Sequence, residues 1–276
     1  MNTQTPDDHD DLGGLDRDLR ATRAAIDRRG LFRLAARFGA GIGALQLLGC
    51  ASNPANPSDS SGESGGGGSC SARIPEETQG PYPADGSNGP SVLALAGVVR
   101  GDIRSSFAGL SGSADGVPLT ISMTIVSVST CSPLAGRAVY LWHCDRAGGY
   151  SLYSQGVTNQ NYLRGVQEAD SAGRVSFTSI FPGCYAGRWP HIHFEVYPSL
   201  SAATSVANRV ATSQIALPKA ACDAAYATAG YQSSIANLSR VSLATDNVFS
   251  DGSALELATV TGSVAEGFRS ALTVAI

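Results

Sequence analysis

The chain has 276 residues, 43% of them hydrophobic and only 15% charged, with 32 Gly, 13 Pro and a net charge of -4. Abundant glycine and proline among so few charges disfavour a helical bundle and point to a turn-rich β protein. The charge balance carries no basic footprint for nucleic acid, and no apolar run reaches the ~20 residues needed to span a membrane.

Residues 1–49 do not read as part of a folded domain. They hold 7 acidic and 7 basic side chains, so their removal leaves the net charge at -4. Asp27-Arg28-Arg29-Gly30-Leu31-Phe32-Arg33 is a twin-arginine pattern, followed by a modest apolar stretch from Phe38 to Leu48. A charged segment before a short apolar region and small residues has the architecture of an export signal. It closes on Leu47-Leu48-Gly49-Cys50, which resembles a lipobox, so Cys50 is a candidate lipid anchor and the one membrane attachment expected. The expected location is therefore periplasmic or at the cell surface.

Residues 50–69 form a polar, Gly/Ser-rich tether with no apolar periodicity. A single β domain is expected over 70–276. The cysteines are Cys50, Cys70, Cys131, Cys144, Cys184 and Cys222, and their spacings match no zinc pattern. With Cys50 lipidated, an oxidising compartment favours at most two bridges and one free thiol.

Within the domain, Pro118–Thr130 opens with Leu119, Ile121, Met123 and Ile125 on one face, the period of a half-buried strand. The phase slips at Ile125-Val126, where either a bulge or the end of the strand fits. Gly136–Trp142, Gly173–Ile180, His191–Val196, Leu255–Val260 and Leu272–Ile276 read as further strands bounded by turn residues. Ala202–Ala211 and Lys219–Ala227 are candidate short helices. The pattern predicts an all-β, antiparallel β-sandwich of about seven or eight strands with long loops and a few short helices.

Chemistry-bearing residues concentrate around Arg188-Trp189-Pro190-His191-Ile192-His193-Phe194-Glu195. On a strand His191 and His193 point to one face with Cα atoms roughly 6–7 Å apart, while Ile192 and Phe194 face the core. His-x-His alone is a weak signal, as compatible with an ordinary solvent face as with a metal. Nearby stand tyrosines instead of further histidine or cysteine ligands: Tyr150 after a Gly loop, and Tyr185 in the turn Phe181-Pro182-Gly183-Cys184-Tyr185. Two phenolates and a hydroxide would neutralise a trivalent iron.

These residues, with Thr78-Gln79-Gly80-Pro81-Tyr82, Val99-Arg100-Gly101-Asp102-Ile103 and Leu163-Arg164-Gly165-Val166-Gln167, resemble the intradiol ring-cleavage dioxygenases. The family resembled includes protocatechuate 3,4-dioxygenase and catechol 1,2-dioxygenase, and the likeness runs from Pro75 to about Asp251. The resemblance implies a non-haem Fe(III) held by Tyr150, Tyr185, His191 and His193. It implies that Tyr185 is the ligand displaced by substrate and that its phenolate helps take a substrate proton. Arg188 would stabilise developing negative charge beside the substrate, and Gln214 would be a polar neighbour of the site. His143 matches a position that binds no metal and is expected to be structural. The implied reaction cleaves a catechol with O2 between its two hydroxyl-bearing carbons, giving a cis,cis-muconate-type product. The competing expectation is an exported iron- or catechol-binding β-sandwich without ring cleavage, favoured if Cys184 or Trp189 closes the pocket. A surface structural domain with an idle His-x-His is the other alternative.

Overall fold

The computed structural model describes residues 72–276. The twin-arginine segment, the lipobox and the tether lie outside the described residues. Two four-stranded sheets face one another. One has the order β4-β1-β8-β7 and the other β3-β2-β5-β6, with β1 Pro118–Val126, β2 Ala138–Trp142, β3 Arg164–Glu168, β4 Arg174–Ile180, β5 His191–Tyr197, β6 Ala211–Ala216, β7 Thr259–Ser263 and β8 Gly267–Ala275. Every pairing is antiparallel except β1 with β8. The all-β sandwich expected from the sequence is thus the observed architecture.

The core follows the alternation. Leu119, Ile121, Met123 and Ile125 of β1 pack with Phe177 of β4, Val139 and Leu141 of β2, and Ile192, Phe194 and Val196 of β5. The strand ends at Val126, so the phase slip marks a terminus and no bulge is needed. Two strands escaped the sequence pattern. Arg164–Glu168 and Ala211–Ala216 carry polar residues on positions that the fold buries. The last hairpin sits a few residues away from its expected place, at Thr259–Ser263 and Gly267–Ala275.

The Ala202–Ala211 stretch is not an α-helix. It forms turns and a single 3-10 turn at Val206–Asn208 before entering β6. The other Ala-rich stretch does form a helix, α1 Lys219–Tyr226, and a second follows unannounced, α2 Gln232–Leu238. α1 and α2 cap the core with Ala221, Cys222, Ala225, Tyr226 and Leu238.

Cysteine pairing also differs from expectation. Cys131 is disulfide-bonded, whereas Cys144, Cys184 and Cys222 are free and buried. Each of the three thiols donates instead to a backbone carbonyl, of Gly183, Arg188 and Leu217 respectively. Burial pushes the Cys184 thiol up to about 12, so all three behave as small core residues.

The second sheet has a further buried layer on its outer face. Tyr140, Trp142 and Tyr197 project there and are covered by Ala84, Val92, Leu93, Val98 and Tyr150. The buried Arg164 guanidinium fastens this cover, donating to Ser151 Oγ, Ser151 O and Pro83 O. No helix among the described residues is long and apolar enough to cross a membrane.

Candidate metal centre

The site forms where β5 meets two loops. His191 and His193 stand on the outer face of β5, opposite Ala216 and Gln214 of β6, and His193 is also opposite Trp142 of β2. The Trp142 indole lies flat on the His193 imidazole, 5.0 Å between centroids and 4° between planes. The β2–β3 loop carries Tyr150, and the β4–β5 loop carries Tyr185 and Arg188.

The two loops are locked together by backbone contact. Gly183 N–H donates to Asp145 O, and a side chain on Gly183 would meet Arg146 O at 2.6 Å. Gly148, at φ +91°, lies so close to Tyr185 that an added Cβ would come within 3.1 Å of its Cβ. Glycine is needed at both positions for the two tyrosines to approach. Asp145 Oδ1 accepts from Ala147 and Gly149 N–H, fixing the turn that leads into Tyr150.

The four candidate ligands converge. His191 Nε2 lies 3.1 Å from His193 Nε2, 3.2 Å from Tyr185 Oη and 3.5 Å from Tyr150 Oη. His191 Nδ1–H donates to Trp189 O at 2.5 Å, which fixes the tautomer and leaves a lone pair on Nε2 facing the other three atoms. Burial holds both imidazoles well below the usual histidine range; the Arg188 cation adds to this for His191, and His191 followed by Arg188 for His193. Neutral imidazoles crowded against phenol oxygens form a donor set with no cation of its own, which fits a hard metal ion. Among the described residues no cluster of three His, Cys, Asp or Glu side chains could hold a metal; the further oxygen atoms at the candidate site are those of Tyr150 and Tyr185.

Arg188 and Gln214 lie beside this cluster. Both are buried, and Arg188 Nη2 donates to Gln214 Oε1 at 2.7 Å. Gln214 Nε2 in turn donates to Thr78 O, tying the Thr78–Tyr82 segment to the same corner. Tyr82 packs on Tyr150 with ring centroids 5.1 Å apart. Cys184 and Trp189 do not close the site: both side chains belong to the core between the sheets, and Trp189 Nε1 donates to Leu217 O. His143 is occupied elsewhere, donating from Nδ1 to Cys144 O and accepting at Nε2 from Ser179 Oγ, a link between the two sheets.

Sequence reasoning missed Asp246. Its buried carboxylate pairs with Arg188 at 2.9 Å. No local pattern connects an acid 58 positions downstream to that arginine.

The β-sandwich thus carries two buried histidines, the buried Tyr150 and the partly buried Tyr185 beside a buried arginine. The dioxygenase family model matches residues 88–211, a span that includes Tyr150, Tyr185, Arg188, His191 and His193. An intradiol ring-cleavage dioxygenase from Tetranychus urticae shares the fold with TM-score 0.57 and 22% identity, over 74% of this chain and 94% of that one. A second dioxygenase structure gives TM-score 0.58 at the same identity and coverage. No curated protein matches the chain. The matched span and the shared fold make the chain similar to the intradiol ring-cleavage dioxygenases.

Proposed function

We propose that this protein is a non-haem Fe(III) dioxygenase that opens a catecholic ring between its hydroxyl-bearing carbons and incorporates both atoms of O2, yielding a cis,cis-muconate-type product. The observation that carries this reading is the approach of Tyr150 Oη, Tyr185 Oη and His193 Nε2 to within 3.1–3.5 Å of His191 Nε2. Two histidines and two tyrosines would hold the iron, with phenolate charge balancing the trivalent ion. Bound Fe(III) would supply the electron-accepting centre that makes a catecholate reactive toward O2.

The remaining chemistry falls to the chain's own groups. Tyr150 is buried and Tyr185 only partly so, which makes Tyr185 Oη the phenolate that takes a proton from an incoming substrate hydroxyl. The Arg188 guanidinium, itself shielded from bulk water, stabilises negative charge on the bound ring. Gln214 orients that guanidinium through its Oε1 and braces the Thr78–Tyr82 wall through its Nε2. The twin-arginine segment, the lipobox and the tether support placement outside the cytoplasm on a lipid anchor at Cys50.

The test is a visible spectrum of the purified domain, before and after catechol is added in air. Tyrosinate-to-Fe(III) charge transfer is expected to colour the protein, catechol to shift the band, and muconate to appear in the ultraviolet. A band that shifts without muconate formation identifies a catechol-binding module, and a protein that takes up no iron removes the reading altogether. Tyr185→Phe is expected to keep iron and to lower turnover by about 100-fold or more; full turnover in this variant would remove the proton-accepting role from Tyr185.

A further inference from the structure

We propose that Asp246 is the positioning residue that aims Arg188 into the site. The inference deepens the reading above, because it rests on Arg188 being the cation that meets the bound catecholate. An arginine side chain has many rotamers, and a cation that stabilises charge must be held in place before the charge develops. Here the guanidinium is gripped from two sides. Asp246 Oδ2 accepts from Arg188 Nε at 2.9 Å, and Gln214 Oε1 accepts from Arg188 Nη2 at 2.7 Å.

The Asp246 carboxylate is itself immobile. Oδ2 also accepts from Trp189 N–H at 2.7 Å, while Oδ1 accepts from Val248 and Phe249 N–H at 2.8 and 3.1 Å. Both oxygens are thus fully used, on a residue with 0% exposure. The ion pair has both side chains at 0% exposure, so solvent does not screen it. One carboxylate therefore joins the loop containing Asp246, beyond the family-matched span, to the strand entry that carries Arg188 and Trp189.

Asp246→Asn keeps the shape and removes the charge and one acceptor. It is made in the full mature domain loaded with iron, beside Arg188→Gln and the double variant, and each is read by kcat/KM and by equilibrium binding of a nitrocatechol. Asp246→Asn is expected to match the wild type in iron content and charge-transfer band. Its kcat/KM is expected to fall about 10- to 100-fold, and its nitrocatechol dissociation constant to rise about tenfold. In the Arg188→Gln background the same change is expected to alter either quantity less than about twofold, because a residue acting through Arg188 has nothing left to act on.

If Asp246→Asn alone does not fold, the comparison of Arg188→Gln with the double variant still decides the matter, since the double variant removes both buried charges together. Wild-type kcat/KM in Asp246→Asn overturns the proposal, and so does an equal further loss in the double variant. A wild-type protein that loads iron but neither binds nor cleaves a catechol overturns the functional reading and this one together.

Discussion

The two sheets of the sandwich are built from different kinds of strand, and the difference locates the function. In the β4-β1-β8-β7 sheet, β1 and β4 alternate buried and more exposed positions, as a sheet with one wet face must. In the β3-β2-β5-β6 sheet, β2, β5 and β6 are buried at every position. Their inner side chains join the common core, and their outer ones meet a cover of loops. That outer face is a second interior, and it is lined by imidazoles, phenols, two arginines and a glutamine. Polar groups buried there need partners, a metal or a substrate, so chemistry collects on the sheet that is covered twice.

The sharpest way to break this comparison is to remove a donor from the covered face. His193→Ala is expected to abolish iron binding and the visible band, as measured by metal content and absorbance, while the fold persists by circular dichroism. Cutting the single-purpose core should do the opposite. Phe177 is fully buried opposite Ile121 between the sheets, so Phe177→Ala is expected to lower stability by about 3–5 kcal/mol in urea unfolding. The folded fraction should keep its band.

A pH test probes the link between the sheets. Burial holds His143 at about 4, down from the ordinary 6.5. The folded state then resists protonation that the unfolded chain accepts, so stability is complete above about pH 6.5 and is lost as pH falls toward 4. The share of His143 is expected to be about 3 kcal/mol at the acid end. Comparing His143→Gln with wild type by urea unfolding at pH 7 and pH 5 checks it; an identical pH dependence in the two proteins would discard the assignment. The smallest effect belongs to the exposed pair Lys219–Asp223 on α1. Lys219→Ala is expected to change stability by under about 0.5 kcal/mol, further reduced by salt.

Legibility in the sequence follows the same division. β1 was readable because its alternation records one wet and one dry face, and His191 and His193 could be placed on a common face by the period of two alone. β6 was unreadable because Thr212 and Gln214, polar residues that ordinarily face water, are buried by the cover. The Ala202–Ala211 stretch misled for a related reason: its composition favours a helix, but its last residue is taken up by pairing with Val196. The three free thiols were beyond reach, since whether cysteines pair depends on where their chain segments lie in space.

Local rules alone reach the β class, the strand face that carries both histidines, the turns that carry Tyr150 and Tyr185, and the likeness of that set to one enzyme family. Packing is what brings the other three donors to within 3.1–3.5 Å of His191 Nε2, turns Cys184 and Trp189 into the core, and carries Asp246 to Arg188. The physical reason is range. Strand periodicity and turn chemistry act over a few residues, whereas convergence of side chains from β5, two loops and a distant acid exists only once the sheets have packed.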